Sequence, residues 1–330
     1  MRASRLAPVA LAAALSACSG GGGSGAPAAP INAPFVPSTG TLAISFTVAT
    51  TIAPSAGGSS AARTPRYVSP GTASLAVYDG ATLIYVANAS SSANLTTVYA
   101  NPASTATVVS GSCNSASPPT CTITVQASLG AHTFGFVTYS TPQTSANTST
   151  APTFTGVILA EGELAVTVAS GTNAAQTIAP LGVADRAFFT GPVLTQRLNG
   201  NGALVGIIGT TYTIQYAIDD AATVTNGYQI VQPGAYDNGP VTIAETDGNN
   251  IVTMTPVSQS TPPASAGLQS FTVTCQNNGT ATITAAAKNK PNTAYASGLT
   301  YSATNYPTGT IGTTTLQCVP NSATLPVTVQ

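Results

Sequence analysis

Charge is nearly absent from this sequence. Asp, Glu, Lys and Arg together make up 5% of its 330 residues, where soluble domains commonly carry about 25%. Binding to a polyanion such as nucleic acid needs a basic face, and eight Lys and Arg against nine Asp and Glu supply none. There is no tryptophan, and His132 is the single histidine. A Ser-His-Asp site would have to run through that one ring, and no GxSxG elbow accompanies it. A zinc shell rich in histidine is equally unsupported. No apolar run reaches the roughly 20 residues a helix needs to cross a bilayer. With few groups to titrate, stability is expected to change little between pH 3 and 8.

Helical periodicity is missing as well, and what replaces it is alternation. Thr, Val, Ile and Tyr recur at every second position between Gly, Pro and Asn. Tyr212, Ile214, Tyr216 and Ile218 fall on one face of a strand, and Phe271, Val273 and Cys275 on one face of another. Asn278-Gly279 has the chemistry of a hairpin turn into 281–284. These patterns specify an all-β chain of packed sandwiches. The expected division is a folded domain at 41–185, a second at 186–256 and a third at 257–330, although length alone also allows 186–330 as one unit.

The amino end reads differently. Arg2 and Arg5 precede an apolar stretch from Ala7 to Leu15, and small Ser16 and Ala17 follow. Residues 1–17 are therefore a secretory signal. From Ser19 to about Gly40 the chain is Gly, Ala, Pro and Ser, a flexible linker over 18–40. Leu15-Ser16-Ala17-Cys18 resembles the lipobox of bacterial lipoproteins. The resemblance implies cleavage before Cys18, lipidation of its thiol, palmitate among the acyl chains, and anchoring to the inner or outer membrane, facing periplasm or exterior. Loss of the leader leaves six basic residues against nine acidic ones, a net charge near −3.

Four further cysteines, Cys113, Cys121, Cys275 and Cys318, form an even set in an exported chain, and disulfides are the default reading. Of the three connectivities, Cys113–Cys121 with Cys275–Cys318 is favoured because each pair then lies within one domain. Neither pair has CxxC spacing, which weighs against a metal site.

Cys275 and Cys318 on inward strand faces resemble the inter-sheet disulfide of immunoglobulin-like domains, which joins the second and penultimate strands. The tryptophan usual beside that bond is absent here. A second resemblance runs through Tyr67 to Leu75, Cys113 to Cys121, Leu129-Gly130-Ala131-His132-Thr133-Phe134, Leu181-Gly182-Val183 and Pro233 to Ile243. These segments are similar to a family of immunoglobulin-like surface lipoproteins of environmental bacteria with no assigned chemistry. The resemblance implies tandem immunoglobulin-like sandwiches on the cell surface.

Candidate chemistry is sparse. His132 flanks a turn at a strand start, and packing is the expected role. Glu161 and Glu163 lie two apart, as paired carboxylates of a glycosidase could, but a polar strand edge accounts for them. Asp219-Asp220, with Asp237, Asn238, Glu245, Asp247 and Asn249, form the one acidic concentration. Loop carboxylates suit calcium, and Asp219, Asp220, Asp237 and Asp247 are its weak candidate ligands; turn formation is the stronger account. No other cofactor is implied. Asn199 to Gly206 has GxGxxxG spacing, which suits a turn and not a phosphate loop. Tyr67, Tyr78, Tyr85 and Tyr99 could contact a sugar or peptide, or be buried by alternation.

The expectation is a non-enzymatic, lipid-anchored envelope protein serving adhesion, capture of a glycan or protein ligand, or envelope structure. The alternatives are a carbohydrate-active hydrolase using Glu161, Glu163, Asp219 or Asp220, and a self-assembling structural subunit. Labelled palmitate should enter the parent polypeptide, and Cys18→Ser should abolish that incorporation and release the protein from the membrane fraction.

Overall fold

The computed structural model describes residues 39–47, 69–89, 95–113, 120–178, 180–190, 204–222, 230, 235–237, 239–246, 248–263, 267–287, 306 and 309–321. The signal, Cys18 and nearly all of the linker lie outside them, as do Tyr67, Asn199 to Ala203, Asn238 and Asp247. Residues 37–330 form one compact unit. Every regular element described is a strand, and among the described residues no helix is long and apolar enough to cross a membrane.

Two sheets are built wholly from residues 39–182. Sheet I runs β10 (Gln176–Thr177), β1 (Thr39–Thr47), β6 (Thr120–Ser128), β5 (Ala106–Cys113), with β9 (Gly171–Thr172) also beside β1. Sheet II runs β11 (Leu181–Gly182), β8 (Ile158–Val168), β7 (Gly130–Tyr139), β2 (Ser74–Asp79), β3 (Thr82–Ala89), β4 (Leu95–Ala100). Alternation sends Leu42 and Ile44 of β1 and Ile123 and Val125 of β6 inward. They meet Val77, Ile84, Phe134 and Phe136 of sheet II in one closed core.

Sheet II is unusual for an antiparallel sheet in that β2 is buried at five consecutive positions, Ser74 to Tyr78. Its second face carries Ala76, Tyr78, Val86, Val137, Tyr139 and Ile158, a separate apolar cluster that must also be covered. The connection from β7 to β8, residues 140–157, does part of this: Phe154 stacks on Tyr139 with ring centroids 4.9 Å apart. Gln143 fastens that connection. Its Nε2 donates to Ser74 Oγ at 3.1 Å and to the carbonyls of Thr141 and Thr155 at 2.9 and 3.0 Å. Its Oε1 accepts from the Thr155 amide at 2.9 Å, and its backbone exchanges two bonds with Asn88.

Two more sheets come from residues 186–319. Sheet III runs β12 (Arg186–Thr190), β14 (Thr211–Asp219), β18 (Gln269–Cys275), β16 (Val252–Thr253). Sheet IV runs β13 (Leu204–Ile207), β20 (Gly309–Val319), β19 (Gly279–Ala287), β15 (Val241–Glu245), β17 (Val257–Gln259). Ile214, Tyr216 and Ile218 of β14 and Phe271, Val273 and Cys275 of β18 pack against Ile243, Ile283, Leu316 and Cys318 of the facing sheet. Both alternations read from the sequence are realised. Strands from 186–256 and from 257–330, read from the sequence as two domains, share both sheets, so the described strands of this half make one sandwich.

Two local expectations are corrected. Asn278-Gly279 does make a turn, with Gly279 at φ 150°, but β18 and β19 lie in opposite sheets and form no hairpin. Each strand instead faces the shared core from its own side. The Cys275–Cys318 disulfide forms as paired and crosses between the sheets. It joins β18, which several strands of this sandwich precede, to β20, the last described strand, so β18 is not the second strand that the immunoglobulin resemblance implied. Gly206 of β13 lies beneath it: an added Cβ would sit 2.7 Å from Cys275 Sγ and 2.8 Å from Tyr212 Cε2.

Gly206→Ala should cost about 1–3 kcal/mol by overpacking this site, and Cys275→Ser with Cys318→Ser about 4 kcal/mol through loss of the cross-link; urea unfolding measures both. Gln143→Ala should leave both sandwich cores folded but open the 140–157 connection to limited proteolysis.

Candidate functional site

His132 is the first place to look for chemistry, and its surroundings have the composition of a catalytic triad. Nδ1 is 2.8 Å from Asp79 Oδ2, and Ser128 Oγ is 3.4 Å from Nε2. The geometry is not that of a nucleophile and its base. Nε2 lies closer to the Ser128 carbonyl oxygen, at 2.9 Å, and must donate to it. A nitrogen that donates there has no lone pair with which to take the hydroxyl proton. The ring is also stacked on Phe134, 5.5 Å between centroids and 6° from parallel. Asp79 ends β2, Ser128 ends β6 and His132 is the third residue of β7, so the contact ties the turn between sheets I and II to sheet II. His132 does flank a turn at a strand start, as its position suggested, with an ion-pair partner 53 residues away that spacing does not reveal.

The second concentration of polar groups is at the joint between the two sandwiches. Here β8 and the segment after it meet 219–222, 236–237 and Tyr306. Leu159 packs with Ala221 and Ala222. The amide of Asp185 donates to the Asp219 carbonyl at 3.0 Å, and that of Asp237 to the Gly182 carbonyl at 2.9 Å. Tyr306 is 1% exposed, belongs to the outer cluster of sheet II, and donates its hydroxyl to Asp237 Oδ2 at 2.6 Å. Arg186 is the only Lys or Arg among the described residues. It pairs with Asp185 at 3.2 Å and gives Nη2 to the carbonyls of Asp220 and Ala222.

Burial dominates the electrostatics of the joint. Desolvation, with Asp220 beside it, pushes the Asp219 carboxyl up to about 6 against the opposing pull of Arg186. Desolvation raises Asp237 to about 7 although the Tyr306 hydroxyl favours its charged form. Asp185 is raised by burial too, with Arg186 pulling the other way. The hydroxyl of Tyr236 is pushed far up by desolvation, then by Tyr216 and Asp219.

The structure thus gathers Asp219, Asp220 and Asp237 near one joint, as an acidic concentration in sequence suggested. It also commits them: Asp220 Oδ1 accepts from the Ala222 amide at 3.0 Å as a turn former does. Among the described residues no group of three or more His, Cys, Asp and Glu could hold a metal ion. Sequence reasoning missed Asp185, Arg186 and Tyr306 here, because none carries a motif and only the docking of the two halves unites them. Glu161 and Glu163 stand on β8, Glu161 fully buried and Glu163 exposed, so they do not act as an exposed pair. Cys121 is disulfide-bonded and stands in register with Cys113 across β5 and β6. Tyr78, Tyr85 and Tyr99 are all buried.

No known protein family matches the chain, and no curated protein is significantly similar to it.

The joint predicts a pH dependence where the scarcity of titratable groups suggested little. Asp219 and Asp237 ionise near 3.8 when unfolded and at about 6 and 7 when folded, so the folded chain holds extra protons between those values. Their contribution to stability is complete below about pH 4 and lost as pH rises through 6 and 7. Urea midpoints at pH 4, 6 and 8 should therefore decline, and Asp219→Asn should flatten the decline.

Proposed function

We propose that this chain is a non-enzymatic surface protein of the bacterial cell envelope, a pair of immunoglobulin-like sandwiches tethered through lipid on Cys18, which engages a glycan or protein ligand or braces the envelope. The observation that carries the reading is the inter-sheet Cys275–Cys318 bond within a sandwich, since such cross-links persist in oxidising compartments outside the cytoplasm. The immunoglobulin likeness is supported by strand order. In sheet IV, β13 pairs in parallel with the last described strand, β20, while β12, just ahead of it in the chain, pairs antiparallel with β14 of sheet III. One chain segment thus serves both sheets, as the first strand of many such domains does. The commitment of His132 Nε2 to a carbonyl supports a role without catalysis.

Purified lipoprotein tested against a panel of glycans and matrix proteins should show saturable binding with no turnover. Turnover of a glycan that Glu163→Gln abolishes would replace this reading with the hydrolase.

Self-assembly is the second reading, and one observation favours it. Among the described strands β12 is at the edge of sheet III, and it presents Phe188 at 53% exposure, an apolar side chain available to a second copy. The corresponding residue on edge strand β5, Val109, sits in a bulge that breaks the ladder. Concentration-dependent light scattering that Phe188→Lys removes would establish assembly through β12; a constant monomer mass would reject it.

A further inference from the structure

We propose that His132 is a proton-operated clamp: the doubly protonated ring holds β2 and the turn between β6 and β7 together, and the neutral ring lets the turn go. Donors and acceptors around the ring decide its state. Nδ1 faces a carboxylate oxygen of Asp79 at 2.8 Å and Nε2 faces the Ser128 carbonyl oxygen at 2.9 Å. Both are acceptors, so both ring nitrogens must donate, and only the cationic ring carries two N–H groups. The Ser128 hydroxyl, at 3.4 Å from Nε2, is the longer and weaker of the two contacts.

The surroundings leave water little room to compensate. The side chains of His132 and Asp79 are 7% and 13% accessible. From β2 the ring faces Asp79, from β6 the Ser128 backbone and hydroxyl, and from β7 the Phe134 ring; its register partner on β8 is Val166. Asp79 is the only charged group among these described neighbours.

When the proton leaves for solvent, the carboxylate keeps the remaining hydrogen on Nδ1. Nε2 then turns a lone pair toward a carbonyl oxygen at 2.9 Å, and the contact changes from attraction to repulsion. The Ser128 carbonyl is part of the turn that carries the chain from sheet I to sheet II, and that turn displays Leu129 at 43% exposure. Histidine is the side chain whose charge changes across the pH range that exported proteins meet. The clamp therefore couples external pH to the seating of an exposed apolar residue at one end of the first sandwich.

Because the chain holds one histidine, the test is unambiguous in assignment. Long-range proton–nitrogen correlation spectra of the uniformly nitrogen-15-labelled lipoprotein, followed from pH 5 to 9, read the protonation of each ring nitrogen. The expected result is both nitrogens protonated at the acid end and one transition to the Nδ1–H tautomer. Across that same transition the Ser128 amide, which donates to the Thr105 carbonyl at 3.1 Å, should exchange about tenfold faster, after correction for the intrinsic pH dependence of exchange. A neutral ring at every pH, an Nε2–H tautomer, or a transition that leaves turn exchange unchanged would overturn the clamp. His132→Gln, which cannot charge, should remove the step in exchange; a step persisting in a folded variant would assign it to other groups and equally overturn the proposal. No variant is needed for the ring measurement itself.

Discussion

A sheet with two apolar faces cannot stop at a simple two-layer sandwich, and sheet II is such a sheet. Five consecutive buried residues in β2 and the buried run of β3 leave neither side free for water. One face is satisfied by sheet I. The other takes Phe154 from the 140–157 connection, Val183 from the segment leading into the second sandwich, and Tyr306 from beyond β19. At about 25 cal/mol per Å² of apolar surface, leaving rings such as Tyr78 and Tyr139 uncovered would cost several kcal/mol. The same demand that orders a long connection through Gln143 therefore also pulls the second half of the chain onto the first.

The scarcity of charge has a consequence of the same kind. In most soluble proteins ionisable groups lie on the surface and their pairs contribute little. Here Asp79 with His132, and Asp219 and Asp237 at the joint, are withdrawn from water. Hydroxyls and amides supply much of the surface instead: Thr280, Thr282 and Thr284 line the outer side of β19 against Gln317, Thr315 and Thr313 of β20. A chain with few titrating groups thus becomes sensitive to pH where those few are concentrated.

What could be read from the sequence followed from period and pairing that are local or carried by cysteine. The alternation of Tyr212 to Ile218 announced a strand with one buried face, and two cysteines on inward faces announced a bridge. Register and sheet membership were not legible, because they depend on which strand lies alongside, a matter decided by the whole core. That is why Asn278-Gly279, a hairpin signal by composition, instead carries the chain across the sandwich, and why 186–256 was separable on paper from 257–330. The joint was half legible. Its acids formed a visible concentration, whereas Arg186 and Tyr306 acquire meaning only once the chain has closed on itself.

Gly206 shows how a covalent cross-link passes its demands to a neighbour. With the disulfide sulfur on one side and the Tyr212 ring on the other, a methyl group enters this position only if one of them gives way. The bond between Cys275 and Cys318 therefore constrains three residues and not two.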